Sequence, residues 1–449
     1  MNNNNVNQIN KTNNSNKSLQ LNKSKYMSIS GFGCILIDYV ISRSIEQELY
    51  NDFKTNYEFH ISNEHSLAMF HNKIKDFDIN KFQLGGSALN TIRTINYILS
   101  NFNKAAENER SLDKDNNGDY DKVNSVNNVS LVEPNSFIGS IGKDVYSKKI
   151  DDQFTKEKIL FKKEVFTNIP TSVNIVLIDG NQRDFITDLT VTKKITLEFI
   201  KQTVDSDFKN KFGFYADAYL IGALPDIYDY TFKTYFSNNE FYLSLCLGSS
   251  VTVKENFVKI LDILPYVDYV FLNEDELDEL SKNHSKSDLS INNLNNNSND
   301  DYSNYNNFIK DFFAKLEKKN TKKDRVVVIT RGDKSTLIYH KKYDVENDDS
   351  NKDVNTTNNN NININNTNNF NSSILYDIPI ISLRENEIID TNGAGDCYSG
   401  GFLAGIILGF DIEQSAIIGN IMASGVLKKK GFQIPNILSI KEVYNKLNL

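Results

Sequence analysis

Short apolar runs alternate with amphipathic helical patterns along the second half of the chain. Four runs rich in β-branched and aromatic residues are typical of buried strands: AYLIG (218–222), FYLSLCL (241–247), YVFLN (269–273) and RVVVIT (325–330). Helical patterns lie between and after them: NFVKILDIL (256–264), FIKDFFAKLEK (308–318) and two segments near the C-terminus. This alternation predicts an α/β fold with a central, mostly parallel sheet and helices on both faces.

The first half of the chain predicts fewer elements. MSISGFGCILIDYV (27–40) predicts one strand that ends near Asp38. FQLGGSALNTIRTINYIL (82–99) predicts a Gly-Gly turn followed by a helix, because its apolar residues repeat at helical spacing. In TSVNIVLIDGNQRDFITDL (171–189), apolar residues alternate up to an Asp-Gly turn. That pattern predicts a hairpin in a small sheet outside the main one.

Four stretches are rich in asparagine and show no apolar periodicity: 1–26 and the regions near 101–128, 283–307 and 345–373. Such segments bury too little apolar surface to offset the entropy lost on ordering. We therefore predict a disordered tail over 1–26, followed by one domain over 27–449 that carries three disordered insertions.

Composition narrows the class of protein. The net charge of −8 and the pI near 5.4 argue against a nucleic-acid partner, which would need a basic surface. The apolar runs are too short to cross a membrane. Three widely spaced cysteines and an N-terminus without an apolar signal region favour the reducing cytoplasm. The five histidines lack metal-ligand spacing, so no structural metal is predicted.

The stretch IIDTNGAGD (388–396) places glycines and a carboxylate where a helix is predicted to begin. The unpaired amides of a helix N-terminus bind anions, and glycine leaves them open to a phosphate oxygen. A carboxylate beside that anion site could accept the proton of an attacking hydroxyl. The alternative is that an aspartate here only caps the helix.

DTNGAGD (390–396) resembles the C-terminal signature of the ribokinase-like (PfkB) family of carbohydrate and purine kinases. Further stretches are similar to other motifs of that family in the same order: GGSALN (85–90), FIGSIGKD (137–144), NEDE (273–276) and TRGDKSTLIY (330–339). The resemblance implies a ribokinase-like fold with a small β lid, whose strands are expected near 34–62 and 170–190. It also implies an ATP- and Mg²⁺-dependent kinase.

The resemblance assigns catalytic and substrate-binding roles. It implies that Asp396 is the catalytic base and that Gly393, Ala394 and Gly395 form the anion hole. Arg183 aligns with a lid arginine that reaches toward phosphates, and exposure on the surface is the alternative. The residues implied to hold the substrate are Asp38, Gly85, Gly86 and Asn90. From the residues alone, Asp38 could be a turn former and Asn90 an exposed helix residue.

The nucleotide side is assigned in the same way. The N-x-x-E motif implies that Asn273 and Glu276 order Mg²⁺ and its waters, although NEDE alone could be an acidic helix start. Thr330 and Gly332 match the turn that contacts ATP, and Asn420 falls where family members place a residue near the adenine.

Within the family, the chain is most similar to the adenosine kinase group. The resemblance implies transfer of the ATP γ-phosphate to a primary hydroxyl of a nucleoside, with adenosine, converted to AMP, as the expected acceptor in purine salvage. One departure is IGALPD (221–226), where Leu224 stands in place of an aromatic residue. A sugar kinase of ribokinase or fructokinase type and an inactive ligand-binding protein are the alternatives. The sequence fits both a monomer and a lid-mediated homodimer.

Overall fold

A computed structural model describes residues 26–57, 61, 64–78, 81–113, 133–180, 182–286, 301–343 and 373–436. The strands in this part of the chain are β1 Ile29–Phe32, β2 Leu36–Ser42, β3 Gln83–Gly85, β4 Ser136–Gly142, β5 Leu160–Phe166, β6 Val173–Asp179, β7 Gln182–Thr187, β8 Gly213–Asp217, β9 Tyr242–Cys246, β10 Tyr269–Asn273, β11 Arg325–Thr330, β12 Thr336–Lys341 and β13 Ser373–Ile378.

The α-helices of the described residues are α1 Gln47–Asn56, α2 Glu64–Ile74, α3 Ser87–Asp113, α4 Ser147–Glu157, α5 Leu197–Asp207, α6 Pro225–Tyr235, α7 Ser250–Ile263, α8 Glu274–Lys286, α9 Asp301–Lys315, α10 Ala394–Leu408 and α11 Ile412–Val426. Short 3₁₀ helices cover Thr192–Lys194, Ala218–Leu220, Leu264–Tyr266 and Glu385–Glu387.

The main sheet has the strand order β13-β12-β11-β10-β9-β8-β1-β4-β5. Its pairings are parallel except for those that β12 makes with β11 and β13. Side chains alternate between the two faces. On β11, Val326 and Val328 pack in one hydrophobic core, whereas Val327 and Ile329 pack in the other. Helices therefore cover both faces of the sheet, and the predicted fold class is confirmed.

A second sheet, here called the lid sheet, has the order β3-β2-β6-β7. Strands β2 and β6 are parallel, and the outer strands β3 and β7 run antiparallel to their neighbours. The hairpin that alternation predicted over 171–189 is the β6–β7 pair. Among the described residues of the range 34–62, β2 is the one strand, and Gln47–Asn56 is the helix α1.

The single strand predicted over 27–40 is wrong, because the chain forms two strands in two different sheets. Strand β1 pairs with β4 and β8 in the main sheet, and β2 pairs with β3 and β6 in the lid sheet. The chain leaves the main sheet at Gly33, where an added Cβ would lie 2.8 Å from the Ala88 Cβ. Asp38 therefore lies within a lid strand and does not end a strand of the main sheet.

The strand predicted at 218–222 is also misplaced. The structure has β8 at Gly213–Asp217, and Ala218–Leu220 forms a 3₁₀ turn. The Asp217 carboxylate accepts a hydrogen bond from the Tyr219 amide at 3.2 Å, which caps this turn and ends the strand early.

Two predicted insertions begin or end inside helices. Helix α3 continues to Asp113, so the predicted disorder near 101–128 is wrong at its start, where Phe102 packs edge-on against Phe410. Near 283–307, α8 ends at Lys286 and α9 begins at Asp301, and α9 is anchored by buried apolar residues. The other parts of the predicted tail and insertions lie outside the described residues: 1–25, 114–128, 287–300 and 345–372.

Among the helices that the structure describes, none is both long and apolar enough to cross a membrane.

Candidate active site

A cavity of about 510 Å³ lies between the carboxyl ends of the main-sheet strands, the start of α10 and one face of the lid sheet. In parallel α/β sheets, ligands bind beyond the carboxyl ends of the strands. The sequence-predicted site residues that line this cavity are Asp38, Gly86, Asn90, Arg183, Asn273, Glu276, Thr330, Gly393, Ala394, Gly395 and Asp396. Those that do not line it are Gly85, Gly332 and Asn420.

The glycines before α10 leave its N-terminus open to the cavity. Gly393 is the N-cap residue, with a left-handed φ of +76° that favours glycine. A Cβ added at Gly395 would meet no heavy atom within 4 Å. The Ala394 amide donates to the Thr391 carbonyl at 3.4 Å, which is longer than an ordinary hydrogen bond. The first turn of α10 therefore presents amides that an anion can reach.

Asp396 faces the cavity and is held by two side chains of α3. The Ser87 hydroxyl donates to its Oδ1 at 2.6 Å, and the Asn90 amide donates to its Oδ2 at 3.1 Å. Burial raises the pKa of Asp396 to about 6, although these two hydrogen bonds oppose the shift. The N-cap residue of α10 is Gly393, and no side chain caps the N-terminus of this helix. Asp396 is therefore available for chemistry in the cavity.

Polar groups of the lid sheet and α3 form one end of the cavity. The Asn174 amide donates to Asp38 Oδ1 at 3.0 Å, and burial raises the pKa of Asp38 to about 7. Asn90 is buried rather than exposed, and its Oδ1 has no hydrogen-bond partner among the described atoms. Gly85 lies behind this group, since its Cβ would stand 2.0 Å from an Asp38 oxygen. This end of the cavity therefore offers hydrogen-bond acceptors to the hydroxyl groups of a ligand.

Arg183 joins the lid sheet to the loop that precedes α10. Its Nε donates to Asp390 Oδ1 at 3.2 Å, and its Nη2 donates to the Ile389 carbonyl at 3.3 Å. Asp390 is buried, and its other oxygen accepts from the Gly431 amide at 2.8 Å. Only 11% of the Arg183 side chain is exposed. The alternative of a surface arginine is therefore wrong.

Asn273 and Glu276 form a reciprocal hydrogen-bonded pair at the start of α8. The Glu276 amide donates to Asn273 Oδ1 at 2.8 Å, and the Asn273 amide nitrogens donate back to the Glu276 carboxylate at 3.0 and 3.1 Å. Burial raises the pKa of Glu276 to about 7. In the described part of the chain, no three His, Cys, Asp or Glu side chains form a metal centre.

Two of the residues predicted to contact ATP do not line the cavity. Thr330 ends β11 and lines it, but Gly332 lies in the following turn with a φ of +61°. Asn420 is buried in α11, and its amide donates to the Pro379 carbonyl at 3.1 Å. The side-chain amide of Asn420 is therefore hydrogen-bonded within the fold.

Among the cavity residues that sequence reasoning missed are Ser87, Asn174, Asp217 and Tyr219. Leu224, which stands where an aromatic residue was expected, is the N-cap of α6 and does not line the cavity. Tyr219 lines the cavity, and 41% of its surface is exposed. Its hydroxyl donates a hydrogen bond to the Gly248 carbonyl at 2.6 Å. The sequence signal that could have identified Tyr219 is an aromatic residue two positions after the end of β8. We missed it because the predicted strand at 218–222 placed Tyr219 inside a strand.

The model of the family described as pfkB family carbohydrate kinase matches residues 123–357 and 374–438. The chain belongs to this family. It is therefore a phosphotransferase that acts on a hydroxyl group, with a small molecule as its substrate.

Known relatives agree with this assignment, and a solved structure has the same fold. The chain is 24% identical to an adenosine kinase of Dictyostelium discoideum over 67% of this chain and 74% of the relative. It is also 24% identical to an adenosine kinase of Schizosaccharomyces pombe, over 68% and 77%. The structure of Anopheles gambiae adenosine kinase matches the fold with a TM-score of 0.63 at 20% identity, covering 90% of this chain and 97% of the other.

Substitutions at two glycines at the start of α10 should separate an effect on folding from an effect on activity. Replacing Gly393 with alanine forces an L-residue into a left-handed conformation and places a Cβ 2.5 Å from Phe432. We expect the free energy of unfolding to fall by about 1–3 kcal/mol. Gly395→Ala is the matched variant, because its Cβ enters open space. We expect it to keep the wild-type melting temperature and to lower kcat, since the methyl group obstructs anion approach.

Thermal unfolding and steady-state kinetics of both variants test this prediction. Wild-type activity in Gly395→Ala, or an unchanged melting temperature in Gly393→Ala, would contradict it.

Proposed function

We propose that this kinase transfers the γ-phosphoryl group of ATP to a primary hydroxyl of a nucleoside, with adenosine as the acceptor and AMP and ADP as products. The observation that carries the proposal is the position of Asp396, a cavity-facing carboxylate held by Ser87 and Asn90 beside the open start of α10. In this proposal the protein acts in purine salvage in the cytoplasm.

Asp396 accepts the proton of the acceptor hydroxyl as that oxygen attacks the γ-phosphorus and ADP leaves. A raised pKa favours proton transfer near neutral pH, because the base is ionised yet holds a proton better than an exposed carboxylate. The amides at Gly393, Ala394 and Gly395 stabilise the charge on the transferred group. Arg183 lines the cavity, is paired with Asp390 at the same loop, and is assigned to reach toward the phosphates of ATP.

Magnesium fits the nucleotide side of this cavity. Mg²⁺ in kinase sites is held by one or two carboxylates, substrate phosphates and waters, so a protein-only cage is not required. Glu276 is a buried carboxylate that lines the cavity, and Asn273 fixes its orientation. When bound, the metal ion would neutralise phosphate charge. Thr330 is placed to contact ATP, whereas the roles first assigned to Gly332 and Asn420 have no support from the cavity lining.

The acceptor end of the cavity suits a nucleoside better than a sugar alone. Asp38 and Asn90 provide acceptors for ribose hydroxyls, while Phe185 and Tyr219 add aromatic surface to the same cavity. A purine base stacks favourably on aromatic rings, and a free sugar has no such group. The named relatives are adenosine kinases, and a Schistosoma mansoni structure of the same fold is described in complex with 2-fluoroadenosine.

Assays of the purified kinase with adenosine, inosine, ribose and fructose test the acceptor. We expect turnover of adenosine. Turnover of a sugar without turnover of adenosine would favour the sugar kinase alternative, and binding without any turnover would favour an inactive member of the family. The oligomeric state, a monomer or a lid-mediated homodimer, stays a prediction that light scattering in solution can test.

Removing the Tyr219 ring should weaken acceptor binding selectively. Stacking of a base on an aromatic side chain is worth about 1–3 kcal/mol. Tyr219→Ala should therefore raise the KM for adenosine by roughly 5- to 150-fold and leave the KM for ATP unchanged. Tyr219→Phe is the control, because it keeps the ring and loses only the hydrogen bond to Gly248. An equal rise in both KM values would contradict the assignment of Tyr219 to the acceptor.

A further inference from the structure

Asp217 is a buried carboxylate at the floor of the cavity. It ends β8 and is 0% exposed, and burial raises its pKa to about 7. Its Oδ2 accepts a hydrogen bond from the Ala88 amide at 3.0 Å, and its Oδ1 accepts one from the Tyr219 amide at 3.2 Å. Each carboxylate oxygen therefore holds a main-chain group of a different element that lines the site.

The hydrogen bond to Ala88 ties the main sheet to the first turn of α3. This helix begins at Ser87, and the amides of a first helical turn have no partner within their own helix. Asp217 supplies that partner from β8, with its negative charge at the positive end of the helix dipole. Gly33 permits the approach, because a Cβ there would stand 3.1 Å from the Asp217 carboxylate.

The same helical turn holds Asp396. Ser87 directly precedes Ala88 in the chain, and Asn90 lies two residues after it. Their side chains make both of the hydrogen bonds that fix the Asp396 carboxylate. A shift of this turn would move both donors together.

We propose that Asp217 is a positioning residue for the catalytic base: by holding the first turn of α3 against β8, it places Ser87 and Asn90 so that Asp396 faces the acceptor hydroxyl. The inference rests on the proposed function, in which Asp396 is that base.

Asp217 and Asp396 also interact through charge, because the charge of Asp396 raises the pKa of Asp217. The other groups whose pKa is raised by the charge of Asp396 are Asp38 on β2, Tyr215 on β8, Tyr219 after β8, Cys246 on β9 and Cys397 on α10. Thiols and phenols are neutral near pH 7, and Asp38 and Asp217, whose pKa values are about 7, are largely protonated where Asp396 titrates. Arg93, the cation near Asp38 and Cys397, is paired with Glu157. Like charges raise each other's pKa.

An Asp217→Asn variant tests the proposal. Its side chain keeps the size of aspartate but loses the charge and presents an amide donor to one of the two main-chain amides. We expect kcat to fall by about 10- to 100-fold, because the base is misplaced, with no change in the KM for ATP. The acid limb of the kcat/KM profile should move to higher pH, because displacement of Ser87 and Asn90 removes the two hydrogen bonds that oppose the rise in the Asp396 pKa.

Asp207→Asn is the matched control. Asp207 is another buried aspartate that accepts two hydrogen bonds, from the hydroxyls of Ser30 and Ser136 at the amino ends of β1 and β4, away from the cavity. We expect a lower melting temperature in both variants but an unchanged pH profile in Asp207→Asn. A wild-type kcat and pH profile in Asp217→Asn, or the same profile shift in both variants, would overturn the positioning role.

Two further measurements make the result decisive. If Asp396→Asn remains active, the proposed function fails. If Asp396→Asn is inactive and Asp217→Asn behaves as wild type, only the positioning role fails. Should Asp217→Asn not fold, Asp217→Glu applies, because it keeps the charge but displaces the carboxylate that holds the Ala88 amide. We expect a lower kcat with an unchanged KM for ATP and an acid limb at higher pH, and a wild-type kcat and pH profile would overturn the proposal.

Discussion

An Asp396→Asn variant is expected to lose phosphoryl transfer while it continues to bind its ligands. Asparagine has the same shape and still accepts a hydrogen bond from Ser87, but it cannot take up the proton of an attacking hydroxyl. General base catalysis contributes about 10²- to 10⁴-fold, so kcat should fall by about that factor. Because burial sets the pKa of Asp396 at about 6, wild-type kcat/KM should decline as pH falls through that value.

Rapid-quench or coupled assays measure the loss of turnover, and calorimetry with ATP and adenosine measures binding. Asp411→Asn is a suitable control, since Asp411 caps α11 outside the cavity and asparagine is an equally good cap. A kcat in Asp396→Asn that stays within a few-fold of the wild-type value would show that another group accepts the proton.

Replacement of Asp268 with alanine is expected to have the largest effect on stability. Asp268 is 1% exposed and lies just before β10, at the end of the strand opposite the cavity. Its carboxylate is 2.5 Å from the Lys318 ammonium and 2.7 Å from the Lys323 ammonium, and both lysines are buried. Burial lowers the pKa of both lysines. Removing the shared carboxylate leaves two buried cations and should cost about 3–5 kcal/mol.

Chemical denaturation measures this loss as a change in midpoint. Asp311→Ala removes a partner from an exposed pair, whose nitrogen and oxygen are 3.8 Å apart, and should cost less than about 1 kcal/mol. Adding Lys318→Met and Lys323→Met to Asp268→Ala should restore much of the stability, because the unpaired charges are then gone. A loss in Asp268→Ala no larger than that of Asp311→Ala would contradict the role of this cluster.

The arrangement of glycines and a carboxylate at the start of α10 was predictable because it depends on neighbouring residues. Gly393, Gly395 and Asp396 lie within four consecutive residues at a helix start, so the sequence alone places open amides beside a carboxylate. The strands YVFLN and RVVVIT coincide with β10 and β11 because a short run of β-branched and aromatic residues between polar segments matches a buried parallel strand.

Other features depended on residues distant in sequence. The break between β1 and β2 follows from close packing of Gly33 against Ala88, and Asp217 acquires its role from an amide of α3. The start of predicted disorder near 101–128 was misplaced because Phe102 finds a partner in Phe410. Local polarity cannot reveal such contacts.

By itself, the sequence determined the α/β class, the order of the family motifs and the carboxylate at the start of α10, since these depend on periodicity and on neighbouring residues. Only the tertiary structure determined which polar groups meet. It brought Ser87 and Asn90 onto Asp396, Asn174 onto Asp38 and Arg183 onto Asp390, and it left Asn420 outside the cavity. The physical reason is that side-chain hydrogen bonds and burial are set by the packing of elements far apart in the chain.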